Sequence, residues 1–193
     1  MSDPNLEKLV NDLVEKKLAE MQAAKQSEPR SLALIASKGS LDWAYPPMIL
    51  ASTAGAMGWK VDVFFTFYGL LLLKKEIDPA VTPLGNPVMP MKMPFGPSGF
   101  QAIDWPIPTL MQAAPGFNAL TRTLMKMQFK NKGVASIPEL REVCIETGVN
   151  LIACQMTMEV FGFTKEEFIP ECTVAGAATF LETASKADVQ LFV

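Results

Sequence analysis

"VNLIACQMTMEVFG", residues 149–162, sets six residues that read as a buried strand directly against a run of helical character, with no turn residues between them. A short apolar run that follows Gly148 and ends at polar Gln155 is what a strand buried in a parallel sheet requires. Strand passing at once into helix is the unit from which α/β domains are built. The same junction puts Cys154 at the strand's carboxyl end, where ligands and reacting groups gather in such sheets.

Working outward, the pattern repeats. "SLALIASKG" from Ser31 reads as a first parallel strand, with Gly39 and Ser40 at its carboxyl end, and "WAYPPMILASTAGAMG" as the helix that follows. "KVDVFFTFYG" is a β-branched and aromatic second strand that Gly69 turns into one or two helical turns, "LLLLKKEI". "FNALTRTLMKMQFKNKG" reads as an amphipathic helix ending at Gly133. "SIPELREVCIETG" is a helix opened by a Ser136–Glu139 capping box, and "TKEEF" carries a second box from Thr164 to Glu167. "CTVAG", a helix "AATFLETASKA" and "DVQLFV" complete the alternation. The expected fold is α/β, a mostly parallel five-stranded sheet with helices on both faces and Rossmann-like layering.

Two segments stand outside this alternation. Residues 1–30 form an arm: Asp3 and Pro4 read as N-cap and first helical position, and Leu6, Leu9, Val10, Leu13, Val14, Leu18 and Met21 make one apolar stripe on a helix to about Ala24. Such an arm either packs on its own domain or mediates association, and "KQSEPR" reads as the linker to a main domain over 31–193. Within that domain, residues 78–116 are dense in proline, glycine and methionine and hold no long regular element. This insertion is expected to face a partner or cover the site.

Composition removes several functions. A net charge of −3 and a pI near 5.1 leave no basic footprint for nucleic acid. The chain has no histidine, which excludes Ser-His-Asp and Cys-His mechanisms and most zinc sites. Lys60 and Asp62 split the long apolar region from Ala44 to Leu73 into pieces too short to span a bilayer. The N-terminus lacks the apolar core of a secretory signal, and three widely spaced cysteines make no disulfide framework, so a cytoplasmic location is expected.

Those cysteines differ in setting. Cys154 faces a helix start, whose free N–H groups favour a thiolate, so its position leaves a reactive thiol and a buried packing residue both open. Cys144, between Val143 and Ile145 in a helix, reads as an inert core residue. Cys172 reads as packing, or else as an accessory or resolving thiol.

"LIACQMTMEVFGFTKEEF", "VAGAATFLETA" and "VFFTFYGLLLLKK", with the Pro/Met-rich insertion between them, resemble the DsrE-like family of the DsrE/DsrF/DsrH group, over Ser31 to Val193. The resemblance implies a sulfur carrier or sulfurtransferase in which Cys154 accepts sulfane sulfur as a persulfide and hands it on. It further implies a rhodanese-like donor and a TusA-like acceptor; no cofactor and no resident metal are expected. Topology adds supporting roles: Gln155, Met156 and Thr157 supply the helix start beneath the sulfur, while Gly39, Ser40 and Gly69 keep the mouth open. Exposed apolar surface and the arm lead to an expected homo-oligomer.

Two other chemistries are readable. Met89, Met91 and Met93 in "MPMKMP" are thioethers at alternate positions that, with a thiolate, suit Cu(I). A thiol peroxidase would need a cation near the cysteine, and no arginine lies close to Cys154 in sequence.

Overall fold

The computed structural model describes residues 4–82, 92, 95–104 and 114–193. The chain divides into two units, Met1–Arg30 and Ser31–Val193. In the first, α1 (Pro4–Ser27) runs three residues past the expected end, so the connecting segment is shorter than "KQSEPR". Asp3, the expected N-cap, lies outside the described residues. The side chains of Leu9, Leu13, Val14, Leu18 and Met21 are all exposed.

The second unit carries a parallel sheet of β1 (Ser31–Ala36), β2 (Lys60–Phe65), β3 (Asn150–Cys154), β4 (Thr173–Ala175) and β5 (Val189–Phe192), in the order β4-β3-β2-β1-β5. Every pairing is parallel. Between the strands run α2 (Leu41–Ala56), α3 (Ser98–Gln101), α4 (Phe117–Asn131), α5 (Ile137–Glu146), α6 (Gln155–Phe161) and α7 (Ala177–Ala184). Among the described residues no helix is long and apolar enough to cross a membrane.

Period-two alternation divides the buried apolar residues of β1, β2 and β3 between two cores. Leu32, Leu34 and Ala36 of β1, Val61, Val63 and Phe65 of β2, and Leu151 and Ala153 of β3 join Leu41, Tyr45 and Met48 of α2 in the larger one. The alternate residues, Ala33, Phe64, Ile152 and Cys154, form a smaller cluster with Phe180 and Ala184 of α7. Phe64 and Phe180 stack there with ring centroids 4.8 Å apart. Helices therefore cover both faces, unequally. Leu191 and Phe192 of the edge strand β5, and Leu181 of α7, remain exposed.

β2 ends four residues before the sequence pattern suggests. Phe67 takes a left-handed backbone, φ 48°, and the chain continues as a 3-10 helix, Phe67–Leu73. The helix lies against the end of β1: Ala36 O accepts the Thr66 N–H at 3.0 Å, and a Cβ on Gly69 would stand 2.2 Å from that same oxygen. The Arg141 guanidinium closes the other end by donating to Leu72 O at 3.2 Å and Lys74 O at 2.6 Å. Both expected capping boxes are present, at Ser136–Glu139 and at Thr164–Glu167. The described part of the insertion is tied to α4, where Asp78 accepts from Arg122 at 2.7 Å and Lys126 at 2.6 Å. Met89, Met91 and Met93 lie outside the described residues.

Candidate functional site

Cys154 is the last residue of β3 and the N-cap of α6. It is buried, 2% exposed, beneath the carboxyl ends of the strands. A thiol removed from water ordinarily loses acidity, because burial disfavours the charged form. Cys144 shows this in the same chain: fully buried, with burial the one cause acting on it, its thiol is pushed up to about 11. Burial pushes Cys154 up as well, yet donors outweigh it. The Thr157 hydroxyl, the Thr157 N–H, the Thr66 hydroxyl and the Met156 N–H together hold this thiol below its ordinary value. Two buried cysteines thus move in opposite directions because one has hydrogen-bond donors around its sulfur and the other has none acting on it.

The donors come from two segments. Thr157 lies in the first turn of α6 and is 3% exposed. Thr66 follows β2, and its Oγ1 lies 3.1 Å from Thr157 Oγ1. The Phe67 N–H donates to Thr157 Oγ1 at 3.3 Å. The pairing Phe65↔Ala153, carried on by one residue, sets Thr66 level with Cys154 on the same face. Thr66 was not singled out from the sequence, because that neighbour relation depends on the β2–β3 register.

Other expected site residues distribute differently. Met156 contributes its backbone N–H while its side chain is 62% exposed. The Gln155 amide turns away and donates to Glu159 at 2.9 Å. Cys172 belongs to the larger core, not to the cluster that holds Cys154, and burial raises its thiol. Gly39 and Ser40 line a separate cavity of about 650 Å³ at the end of β1, shared with Trp43, Tyr68 and Thr82. Gly39 and Gly69 are packing glycines: a Cβ at either would stand 2.2 Å from a backbone oxygen, Tyr68 O or Ala36 O. At the same end of the sheet Phe161, the last residue of α6, contacts Phe67 and Tyr68 with centroids 6.4 and 5.9 Å apart, and all three rings are exposed. Among the described residues no group of three or more His, Cys, Asp or Glu is placed to hold a metal ion.

The sequence pattern of the DsrE/DsrF/DrsH-like family matches residues 28–192. The chain belongs to that family. It is 54% identical over 166 residues to the protein named sulfur carrier protein DsrE2 of Allochromatium vinosum, covering 86% of this chain and 99% of that one. It is 27% identical over 167 residues to the uncharacterized protein YrkE of Bacillus subtilis, covering 86% and 98% of the two chains. Among solved structures, the YchN protein of E. coli is 9% identical with a TM-score of 0.48, covering 85% of this chain and 99% of that one. The matched residues take in all five strands and Cys154 and leave α1 outside.

Proposed function

We propose that this family member carries sulfane sulfur on Cys154 and passes it between partner proteins. The observation that supports this most is a thiol that is buried yet held acidic by hydroxyls and backbone N–H groups, in a chain 54% identical to a protein named a sulfur carrier. The thiolate is the nucleophilic form, and this site favours it without histidine.

The exchange runs in two balanced steps. The Cys154 thiolate attacks the outer sulfur of a donor persulfide; the donor's S–S bond breaks, its electron pair stays with the donor sulfur, and Cys154 becomes a persulfide. An acceptor thiolate then attacks that outer sulfur, and Cys154 leaves again as a thiolate. Nothing is oxidised overall, so no cofactor enters. Under this reading the donor is rhodanese-like, the acceptor is TusA-like, the chain works in the cytoplasm as a homo-oligomer, and Cys144 and Cys172 are bystanders.

The test is transfer of radiolabelled sulfane sulfur from a persulfidated donor protein, through this chain, to a TusA-type acceptor. Wild type and Cys172→Ser pass label to the acceptor, whereas Cys154→Ser passes none. Label moving through Cys154→Ser at the wild-type rate contradicts the proposal.

A further inference from the structure

The cavity at the end of β1 has the build of a small-molecule site separate from that of Cys154. Its volume, about 650 Å³, falls within the range of ligand pockets. One wall is a face of the 3-10 helix: three residues per turn set Tyr68, Leu71 and the capping Lys74 above one another, and all three line the cavity. Trp43 of α2 lines it from another side, with Ile77 and Val81. Trp43, Tyr68 and Leu71 are large apolar side chains left exposed in one concave place.

The walls are held from behind. Thr82 Oγ1 donates to Asp42 Oδ2 at 2.8 Å, the Thr82 N–H donates to Asp42 Oδ1 at 3.2 Å, and the Leu41 N–H donates to Ala80 O at 2.8 Å. Residues 80–82 are thereby fastened to the start of α2, and the Asp42 carboxylate is occupied. Two of the charges lining the cavity are answered by ion pairs: Asp78 by Arg122 and Lys126, and Lys74 by Glu167 at 3.3 Å. Glu76 is exposed and has Lys75 beside it in the chain. Lys38 is different. Among the described residues it makes no ion pair, and its Nζ rests 3.3 Å from the centroid of the Trp43 ring. An ammonium has three donors, and the indole face attracts it without a lone pair to take them.

We propose that this cavity binds a small organic carboxylate with a flat apolar body. The body lies against Trp43, Tyr68 and Leu71, and the carboxylate accepts from Lys38, which the indole already holds at the aromatic wall. A cationic ligand is disfavoured, because Lys38 occupies the ring face that would attract it. The site stands apart from the sulfur-carrier reading and uses none of the groups around Cys154.

The experiment titrates the full chain with 1-naphthoate, followed by amide and indole N–H shifts in ¹⁵N NMR spectra. The uncharged 1-naphthamide and the cationic 1-naphthylmethylammonium, of nearly the same shape, are titrated in parallel. Naphthoate is expected to give saturable shifts at Gly39, Leu71 and the Trp43 indole, with naphthamide binding about tenfold more weakly, the scale of a hydrogen bond to a charged group. Lys38→Gln, at an exposed position, should weaken naphthoate about tenfold and leave naphthamide unchanged, whereas Glu76→Gln should not weaken naphthoate. Equal binding of naphthoate and naphthamide, or full naphthoate affinity in Lys38→Gln, overturns the proposal. So does tighter binding of the cationic probe, which would assign the cavity to Glu76, or saturable shifts confined to the exposed rings of Phe67 and Phe161. Failure of Cys154 to load sulfur contradicts the carrier reading and leaves these titrations unaffected.

Discussion

Gly69→Ala tests whether the 3-10 helix is what presents Thr66 to the site. An added Cβ would stand 2.2 Å from Ala36 O and 2.9 Å from Ala36 C, both backbone atoms at the end of a central strand. Neither can swing aside, so the helix must lift by roughly 1 Å to reach ordinary van der Waals contact. Overpacking of this kind costs about 1–3 kcal/mol. The same carbonyl accepts the Thr66 N–H at 3.0 Å, and lifting the helix strains that bond, adding about 1 kcal/mol. The total of about 2–4 kcal/mol lowers the urea midpoint by about 1–2 M at an unfolding slope ordinary for this size. Gly99→Ala is the control, because a Cβ there meets nothing within 4 Å and the variant loses no stability. In Gly69→Ala the alkylation midpoint of Cys154 also rises, since Thr66 moves with the helix. A Gly69→Ala chain within about 0.5 kcal/mol of wild type would refute the packing argument.

Further outcomes follow from single residues. Phe67 holds a left-handed backbone, so Phe67→Asn should retain or slightly raise stability, while Phe67→Val, β-branched in that region, should lose about 1 kcal/mol or more by urea unfolding; equal effects would show that the conformation carries no strain. Cys144 keeps its proton in the folded chain up to about pH 11, whereas the unfolded chain releases it near 9. The sign makes this stability complete below about pH 9 and progressively lost toward 11, by on the order of 2 kcal/mol, and Cys144→Ala should flatten that alkaline limb in reducing buffer. For Cys154 the shift is downward, so native-state alkylation at neutral pH should reach it while Cys144 and Cys172, both raised, stay unmodified; mapping by peptide mass spectrometry checks the order.

What the sequence reveals and conceals divides along locality. The β3–α6 junction and the capping boxes at Ser136 and Thr164 are legible because each is decided within a few consecutive residues. The end of β2 is not, since "FFTFYG" continues the apolar and aromatic pattern of a strand. What stops it at Phe65 is a turn at Phe67 and the close approach of Gly69 to Ala36, a contact across 33 residues of chain. Gly69 is expected from the sequence to keep the mouth open, whereas the structure shows a packing contact, its close approach to Ala36 O. Thr157 could be named as part of a helix start, whereas Thr66 stayed hidden because only the strand register places it beside Cys154. Gly39 and Ser40 do stand at a strand end, yet the strand is β1, and their cavity is a different one. The position of a thiol relative to a strand is thus readable, and the partners that decide its charge are not.

The central claim is that Cys154, and neither of the other thiols, holds the sulfur. The most direct measurement is peptide mapping of the wild-type chain after loading with polysulfide, with free thiols and persulfides alkylated before digestion. The account predicts one added sulfur, removable by reductant, on the peptide containing Cys154, with Cys144 and Cys172 recovered as plain thiols. Added sulfur on Cys172 or Cys144 with Cys154 left unmodified would contradict it.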